Sequence, residues 1–278
     1  CHGSRANMVG ALLQRSTGLP VVSTVHSDYR LDYMGRPLSH LTFGTINAWA
    51  LRRLNYRIGV SDAMVNLLIE RGFAPDRFYT IYNGIDVERF NRPVHPISRQ
   101  KLGFADNDFV AIFTGRVVLG KGIRELIKAM CLLKEHPHIK LLVLGTSFLG
   151  NNQGHSPFVE ELKQLAEEIK DNIIFTGYVN YDLVPSYLHL ANVAVVPSVW
   201  EEPFGLTCIE ALAAGLPLIT TNRGGIPEIT RDDCCITLNV DDSFVDNLAD
   251  AILSLSTDNE RCLNMGKAAA THAMQFKK

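Results

Sequence analysis

No apolar run in this 278-residue sequence approaches the roughly 18–20 residues that a membrane-spanning helix needs. The chain also opens without a basic segment followed by an apolar one, so we expect no secretory signal peptide. Its first residue is a cysteine rather than an initiator methionine. We therefore expect the chain to be the middle part of a longer, cytoplasmic protein.

Several familiar site motifs are missing. None of the six cysteines falls in a C-x-x-C pair, and the adjacent Cys234 and Cys235 suit neither a metal site nor an ordinary disulfide, so we expect buried thiols. The sequence has no P-loop, no G-x-G-x-x-G and no D-x-D carboxylate pair at a predicted strand end. We find no internal repeat or low-complexity segment. The expected metal content is none.

Charge of either sign is modest, with 20% charged residues and a net charge of −2, so nucleic acid is not an expected partner. The charge is unevenly distributed. Residues 1–85 carry nine arginines, no lysine and five acidic residues, whereas residues 86–278 carry 18 basic and 24 acidic residues. This asymmetry fits either two domains with different partners or uneven surface solvation.

Short apolar runs alternate with longer helical patterns along the chain. This alternation predicts an α/β fold with parallel sheets covered by helices. The predicted strands are residues 21–25, 57–60, 78–82, 110–115, 139–145, 172–177, 193–197 and 216–221. The predicted helices are residues 62–72, 122–135, 157–170, 183–191, 205–214 and 243–256.

A polar stretch between residues 83 and 107 divides the chain. It begins with the turn dipeptide Asn83-Gly84 and contains Pro93 and Pro96. Only three predicted strands precede it, and five follow, whereas a doubly wound domain usually has about six. We therefore predict a partial first domain over residues 1–85 and a second, Rossmann-like domain over residues 86–278.

Candidate site residues follow the predicted strands, because open parallel sheets bind ligands at the carboxyl ends of their strands. Glu202 and Glu210 flank a predicted helix start, and Pro203 suits the first turn of that helix. Free amides at such a start attract phosphate, and carboxylates accept hydrogen bonds from hydroxyls. The segment therefore favours a sugar-nucleotide, although two solvated glutamates would give the same pattern.

Three further strand ends carry weaker signals. Arg116 and Lys121 share one loop and could neutralise a diphosphate, or could be ordinary surface cations. Gly177 would allow a flat base to approach the backbone, or could simply end a strand. His26, at the end of the first strand, is a candidate substrate contact, although a lone histidine is more often structural.

Taken together, these motifs resemble the retaining glycosyltransferases of glycosyltransferase family four, which have the GT-B fold of two Rossmann-like, doubly wound domains. Glu202 and Glu210 match the E-x7-E motif of that family, and the resemblance runs from about residue 1 to about residue 276. The other matching segments are T-x-H at 24–26, VS at 60–61, NGID at 83–86, GR…KG at 115–122, FTGYV at 175–179 and GGIPE at 224–228.

The resemblance implies roles for individual residues. Arg116 and Lys121 would bind the donor diphosphate, Glu210 would hold the ribose hydroxyls, Glu202 would contact the transferred sugar, and His26 would lie near the sugar and acceptor. Further donor-binding residues would be Gly115, Gly177, Val179, Phe204, Gly205, Leu206 and Thr207.

The resemblance also implies the reaction and the partners. A sugar would pass from a nucleotide-diphosphate sugar, with UDP-sugar the expected donor, to a glycan or lipid-linked acceptor. No cofactor or metal would be needed, and the first domain could touch the inner face of the plasma membrane. A sugar-nucleotide epimerase, a glycogen phosphorylase and a non-catalytic sugar-nucleotide-binding module are the alternatives. The glycine-rich loop of the family's first domain is missing, so we expect weak nucleotide binding and little turnover from this chain alone.

Overall fold

The computed structural model describes residues 1–30, 44–146 and 157–278. Within these ranges the chain forms two compact units. The first comprises residues 1–83 together with residues 202–204, and the second comprises residues 84–201 and 205–278. Among the described helices, none is long and apolar enough to cross a membrane.

The described part of the first unit contains a parallel sheet of three strands in the order β1-β2-β3. Each strand coincides with a predicted apolar run. The elements are α1 (Ser4–Thr17), β1 (Val22–Val25), α2 (Thr45–Arg53), β2 (Tyr56–Gly59), α3 (Asp62–Glu70) and β3 (Phe78–Thr80).

The helices α1 and α2 have no counterpart among the predicted elements. In α1 the reason is that its inner face is not apolar. The residues that it buries are Asn7, Gly10 and Ala11. The Asn7 amide donates to Asn47 on α2 at 2.9 Å, and Ser23 on β1 donates to the Asn7 amide oxygen at 2.6 Å. A helix that packs through small and hydrogen-bonded polar residues shows no hydrophobic periodicity in the sequence.

The second unit is built on a six-stranded parallel sheet in the order β6-β5-β4-β7-β8-β9. Its strands are β4 (Phe109–Thr114), β5 (Ile139–Leu144), β6 (Ile173–Gly177), β7 (Val193–Val196), β8 (Leu218–Thr221) and β9 (Cys235–Leu238). Its α-helices are α4 (Val87–Phe90), α5 (Ile123–Leu132), α6 (Pro157–Leu165), α7 (Val184–Leu188), α8 (Leu206–Ala213), α9 (Phe244–Thr257) and α10 (Asn259–Ala273).

The strand β9 is a sixth strand where five were expected. It lies at the edge of the sheet and pairs with β8 alone. Only Cys235 among its four residues is fully buried, so the strand lacks the continuous apolar run that marks the interior strands.

The strand order reverses at β4 and β7, which are neighbours in the sheet although two strands lie between them in the sequence. Such a reversal separates two adjacent loops at the carboxyl edge and opens a crevice between them, where doubly wound folds bind ligands. Gly122, at the start of α5, sits at this edge with φ +71°, and a Cβ there would lie 1.7 Å from the Pro197 carbonyl oxygen. The loop after β4 can therefore approach the end of β7 only because residue 122 is glycine.

The last residues of the chain pair with the beginning of the second unit. The Ile85 amide donates to the Phe276 carbonyl at 2.9 Å, and the Lys278 amide donates to the Ile85 carbonyl at 3.1 Å. Residues 85 and 277 thus form a parallel bridge.

Candidate functional site

A cavity of about 360 Å³ opens at the carboxyl edge of the second unit's sheet. Residues that end or follow β4, β5 and β6 form its walls, together with the first half of α8. The lining residues are Thr114, Gly115, Arg116, Leu144, Gly145, Thr146, Tyr178, Val179, Tyr181, Val184, Thr207 and Glu210. Among these, Gly115, Arg116, Val179, Thr207 and Glu210 are residues that the sequence analysis assigns to donor binding.

Three glycines hold the strand ends together beneath this cavity. The Gly145 amide donates to the Gly177 carbonyl at 3.1 Å, and the Gly115 amide donates to the Leu144 carbonyl at 3.0 Å. Gly145 has φ +146°, and a Cβ there would lie 1.8 Å from the Gly115 carbonyl oxygen. Gly177 is connected to the cavity through its hydrogen bond with Gly145 and is not one of the lining residues.

The most buried charged group of the cavity is the Glu210 carboxyl on α8, which is 7% exposed. Its Oε1 accepts a hydrogen bond of 2.7 Å from the Tyr181 hydroxyl. Burial raises the pKa of Glu210, and the Tyr181 hydrogen bond and Arg89 oppose that rise. Burial and the neighbouring Glu210 carboxylate raise the pKa of Tyr181, so its hydroxyl remains a donor. Its other carboxylate oxygen accepts no hydrogen bond from the described residues and can therefore accept one from a ligand.

Arg89 on α4 holds Tyr181 in place. Its guanidinium lies 4.5 Å from the centre of the Tyr181 ring and forms an ion pair of 2.5 Å with Asp182. Phe90 packs edge-on against the same ring at 6.2 Å. The NGID turn therefore leads into a helix that supports the cavity wall.

The two predicted diphosphate cations take different positions. Arg116 is exposed, lines the cavity, and its side chain has no hydrogen-bond partner among the described residues. Lys121 ends a single 3-10 turn over Leu119–Lys121, and its Nζ lies 5.4 Å from the Trp200 ring centre. The structure thus brings Arg116, but not Lys121, into the lining of the cavity.

The predicted helix over residues 205–214 is present and begins one residue later than expected. The helix begins at Leu206 and is preceded by Gly205 with φ +109°, so the prediction that Pro203 occupies its first turn is wrong. A left-handed residue at 205 turns the chain sharply, and Pro203 and Phe204 belong to the loop before it. The first-turn amides are therefore those of Leu206 and Thr207, with Cys208 already donating to Gly205 at 2.9 Å.

Glu202 and His26 belong to the first unit. Glu202 is 8% exposed and lies in the segment 202–204, where the Pro203 carbonyl accepts a 2.6 Å hydrogen bond from the Ser61 hydroxyl. His26 is exposed, follows β1, and its Nε2 lies 2.8 Å from Nδ1 of His2. Partial desolvation of the imidazole and the neighbouring His2 lower the pKa of His26, so its neutral form is favoured.

Two parts of the cavity escaped the sequence analysis. Gly145 ends the predicted strand over residues 139–145 and Thr146 follows it, so the strand-end rule could have identified both. Tyr181 carries no such signal, because the hydrogen bond to Glu210 joins residues 29 positions apart. No group of three or more His, Cys, Asp or Glu residues that could hold a metal occurs in residues 1–30, 44–146 and 157–278.

Two family models match the chain. The model described as "Glycosyl transferases group 1" matches residues 94–272, and the model described as "Glycosyltransferase Family 4" matches residues 1–89. The first match alone covers more than half of the chain and includes the whole cavity.

Curated relatives agree with the family models. A putative glycosyltransferase of Bacillus subtilis, YtcC, is 34% identical over 77% of this chain and 54% of its own length. A D-inositol 3-phosphate glycosyltransferase of an Arthrobacter strain is 29% identical over 98% of this chain and 65% of its own length. The chain spans between half and two thirds of the length of these relatives.

Solved structures share the fold. Anabaena HepE in complex with UDP-glucose has a TM-score of 0.80 at 23% identity, covering 99% of this chain and 73% of that one. The sucrose-phosphate synthase of Thermosynechococcus elongatus also has a TM-score of 0.80 at 23% identity, covering 99% and 68%. The predicted GT-B fold, with Rossmann-like parallel sheets in two domains, is confirmed. The chain belongs to the group 1 glycosyltransferases.

Proposed function

We propose that this chain forms the donor-binding part of a retaining, metal-independent glycosyltransferase, which moves a sugar from a nucleotide-diphosphate sugar to a glycan or lipid-linked acceptor. The observation that carries the proposal is the cavity at the carboxyl edge of the second sheet, where a buried carboxylate, a cation and a helix start meet. This combination suits a ribose followed by a diphosphate.

Glu210 would bind the ribose. An ionised carboxylate only accepts hydrogen bonds, and ribose hydroxyls are donors of suitable spacing. Tyr181 occupies one oxygen of Glu210 and leaves the other for the ligand. Tyr178 and Val179 would form the wall against the base. The HepE structures hold UDP and UDP-glucose, which supports uridine as the first base to test.

Arg116, Lys121 and the first amides of α8 would hold the diphosphate. Negative charge grows on this leaving group as the bond from C1 of the sugar breaks, and fixed cations stabilise it in the transition state. Arginine can bind phosphate through two parallel hydrogen bonds, and lysine acts as a point charge. In this proposal these groups supply the charge that a metal supplies elsewhere, and no cofactor takes part.

Glu202 and His26 are assigned from the resemblance alone. Glu202 would contact the transferred sugar, and His26 would lie near the sugar and the acceptor. If the acceptor attacks C1 on the face from which the leaving group departs, the anomeric configuration is retained. The predicted cytoplasmic location, with peripheral contact at the inner face of the plasma membrane, stays a prediction.

The test measures UDP release from UDP-glucose by the full-length protein, with and without EDTA, in the presence of glycan and lipid-linked acceptors. We expect acceptor-dependent release that EDTA leaves unchanged, and NMR of the product should show the anomeric configuration of the donor. Inverted product would refute retention, loss of activity in EDTA would refute metal independence, and sugar epimerisation without transfer would refute the transferase.

A further inference from the structure

A second cavity, of about 340 Å³, lies in the first unit. Three arginines line it together with Asp76 and the turn over residues 72–74. It is formed where β2 and β3 begin, at the amino edge of their parallel sheet. His26, by contrast, follows the carboxyl end of β1, at the other edge of the same sheet.

The fold brings the three arginines together from separate elements. Arg57 is the second residue of β2 and pairs with Phe78 at the start of β3, so Arg77, one residue earlier, lies beside it. Arg52 is in the last turn of α2. The Arg57 Nε donates to the Leu51 carbonyl at 2.5 Å, which ties the strand to the end of the same helix.

The guanidinium of Arg57 is buried and incompletely hydrogen-bonded. The residue is only 2% exposed, and its buried Nη1 has no hydrogen-bond partner among the residues that the structure describes. Burial, with Arg77 and Arg52 nearby, lowers the pKa of Arg57. A buried guanidinium is unfavourable without compensating charge, and because Arg57 lines the cavity, an anion there would offset the cost of its buried charge.

Neighbouring acidic and carbonyl groups compensate little of the positive charge of the three arginines. Asp76 pairs with Arg77 at 3.9 Å, and both side chains are more than half exposed, so the pair is weak. Arg52 makes long hydrogen bonds of 3.4 Å to the Ala48 and Arg71 carbonyls. These contacts leave most guanidinium N–H groups of the three arginines for another acceptor.

The turn over residues 72–74 provides a platform that orients two of the cations. The Arg52 guanidinium lies 4.6 Å from the centre of the Phe73 ring, and the Arg57 guanidinium lies 5.6 Å from it. Stacking on an aromatic face fixes the plane of a guanidinium while its N–H groups remain directed outward. If Arg57 served only to cap α2 and stack on Phe73, the presence of Arg52 and Arg77 at the same cavity would be unexplained.

We propose that the pocket of Arg52, Arg57 and Arg77 binds a phosphate dianion carried by a small molecule or a headgroup. Three guanidinium groups against one carboxylate match a doubly negative group, and arginine forks match the geometry of phosphate oxygens. The volume leaves room for an organic part beyond the phosphate. The site is separate from the donor cavity, which lies in the other unit, and does not depend on the proposed transferase activity.

The test follows the melting temperature during titration with inorganic phosphate, with ionic strength held constant by sodium chloride. A ligand that binds only the folded state raises the melting temperature in a saturable way. Arg52→Gln and Arg77→Gln should each raise the half-saturating phosphate concentration about tenfold, since each removes a charge-assisted contact. Both substitutions are at positions that can lose a charge without disturbing the core.

Arg53→Gln is the matched control. Arg53 is the neighbour of Arg52 on α2, but its guanidinium stacks on Trp49 at 4.7 Å and does not line the pocket. This variant should bind phosphate like the parent. Equal weakening in all three variants would show a general charge effect, and unchanged binding in Arg52→Gln and Arg77→Gln would show that phosphate binds elsewhere. Either result would overturn the proposal.

A second arm distinguishes the sources of the phosphate. Phosphatidylcholine vesicles with and without phosphatidic acid are sedimented with the parent and the same variants. Binding to phosphatidic acid that requires Arg52 and Arg77, but not Arg53, would identify a lipid headgroup. Saturable binding of inorganic phosphate without vesicle binding would identify a soluble phosphorylated ligand. If neither probe binds in a way that depends on Arg52 and Arg77, the proposal is wrong.

Discussion

Removal of the hydrogen bond from Tyr181 to Glu210 should lower the free energy of unfolding by a predictable amount. Tyr181→Phe removes one hydroxyl and leaves the ring against Arg89 and Phe90. A hydrogen bond to a charged group contributes about 1.5–3 kcal/mol, and one between neutral groups about 0.5–1.5 kcal/mol. Because Tyr181 is 48% exposed, we expect the lower end of the first range, about 1.5 kcal/mol, when Glu210 is ionised.

The stability lost in Tyr181→Phe should depend on pH. Burial raises the pKa of Glu210 above its ordinary value of 4.5, so its ionisation makes the folded state less stable as the pH rises through that pKa. Tyr181 lessens this effect by favouring the ionised form. Tyr181→Phe therefore raises the pKa of Glu210 further. The substitution lowers the free energy of unfolding by the full amount only at a pH above that pKa. At a pH below the ordinary value, where the carboxyl is protonated in both states, the loss falls to that of a neutral hydrogen bond.

Urea denaturation at about pH 7.5 and about pH 4 measures the difference in the free energy of unfolding. Tyr178→Phe is the control, because Tyr178 lines the same cavity, is similarly exposed, and its hydroxyl makes no hydrogen bond within the described residues. As the pH is lowered, the affinity of Tyr181→Phe for UDP should also begin to fall at a higher pH than that of the parent. Equal destabilisation at both pH values, or equal effects of the two substitutions, would refute the reasoning.

Two further predictions concern the cavity. Gly145→Ala should destabilise the protein by about 3 kcal/mol or more, because its φ of +146° and the Gly115 carbonyl 1.8 Å from a new Cβ both exclude a side chain. Gly103→Ala, with φ +83° and open space around it, should cost only about 1 kcal/mol in the same urea denaturation. Arg116→Gln should weaken UDP-glucose binding about tenfold in calorimetry with no change in melting temperature, since its exposed side chain makes no hydrogen bond within the described residues. Arg92→Gln, an exposed substitution in the same unit, should change neither, and similar weakening by both would contradict a specific role for Arg116.

The interior strands were predictable because burial on both faces forces continuous apolar runs. Each predicted strand, from residues 21–25 to residues 216–221, is present. The elements that were not predicted include the helices α1, α2 and α10 and the strand β9. Two of them have a clear physical cause: α1 packs through Asn7, Gly10 and Ala11, and β9 is a half-exposed edge strand. Hydrophobic patterns carry no information about either.

The site was predictable only in part. Glu210 and Arg116 follow strands in a pattern that indicates ligand binding, and both line the cavity. The contact of Tyr181 with Glu210 and the arginine pocket of the first unit join residues that are distant in sequence, so only the folded chain reveals them. Lys121 was predicted from its loop alone, and the stacking of its side chain near Trp200 depends on a neighbour 79 positions away.

The central claim is that the cavity of the second unit binds the nucleotide through Glu210. Calorimetric titration of UDP in EDTA, with the parent, Glu210→Gln and the exposed control Glu135→Gln, tests it most directly. We predict that Glu210→Gln raises the Kd for UDP about tenfold or more, because a ribose hydrogen bond to a charged group is lost, whereas Glu135→Gln leaves the Kd unchanged. UDP binding that is indifferent to Glu210→Gln would contradict it.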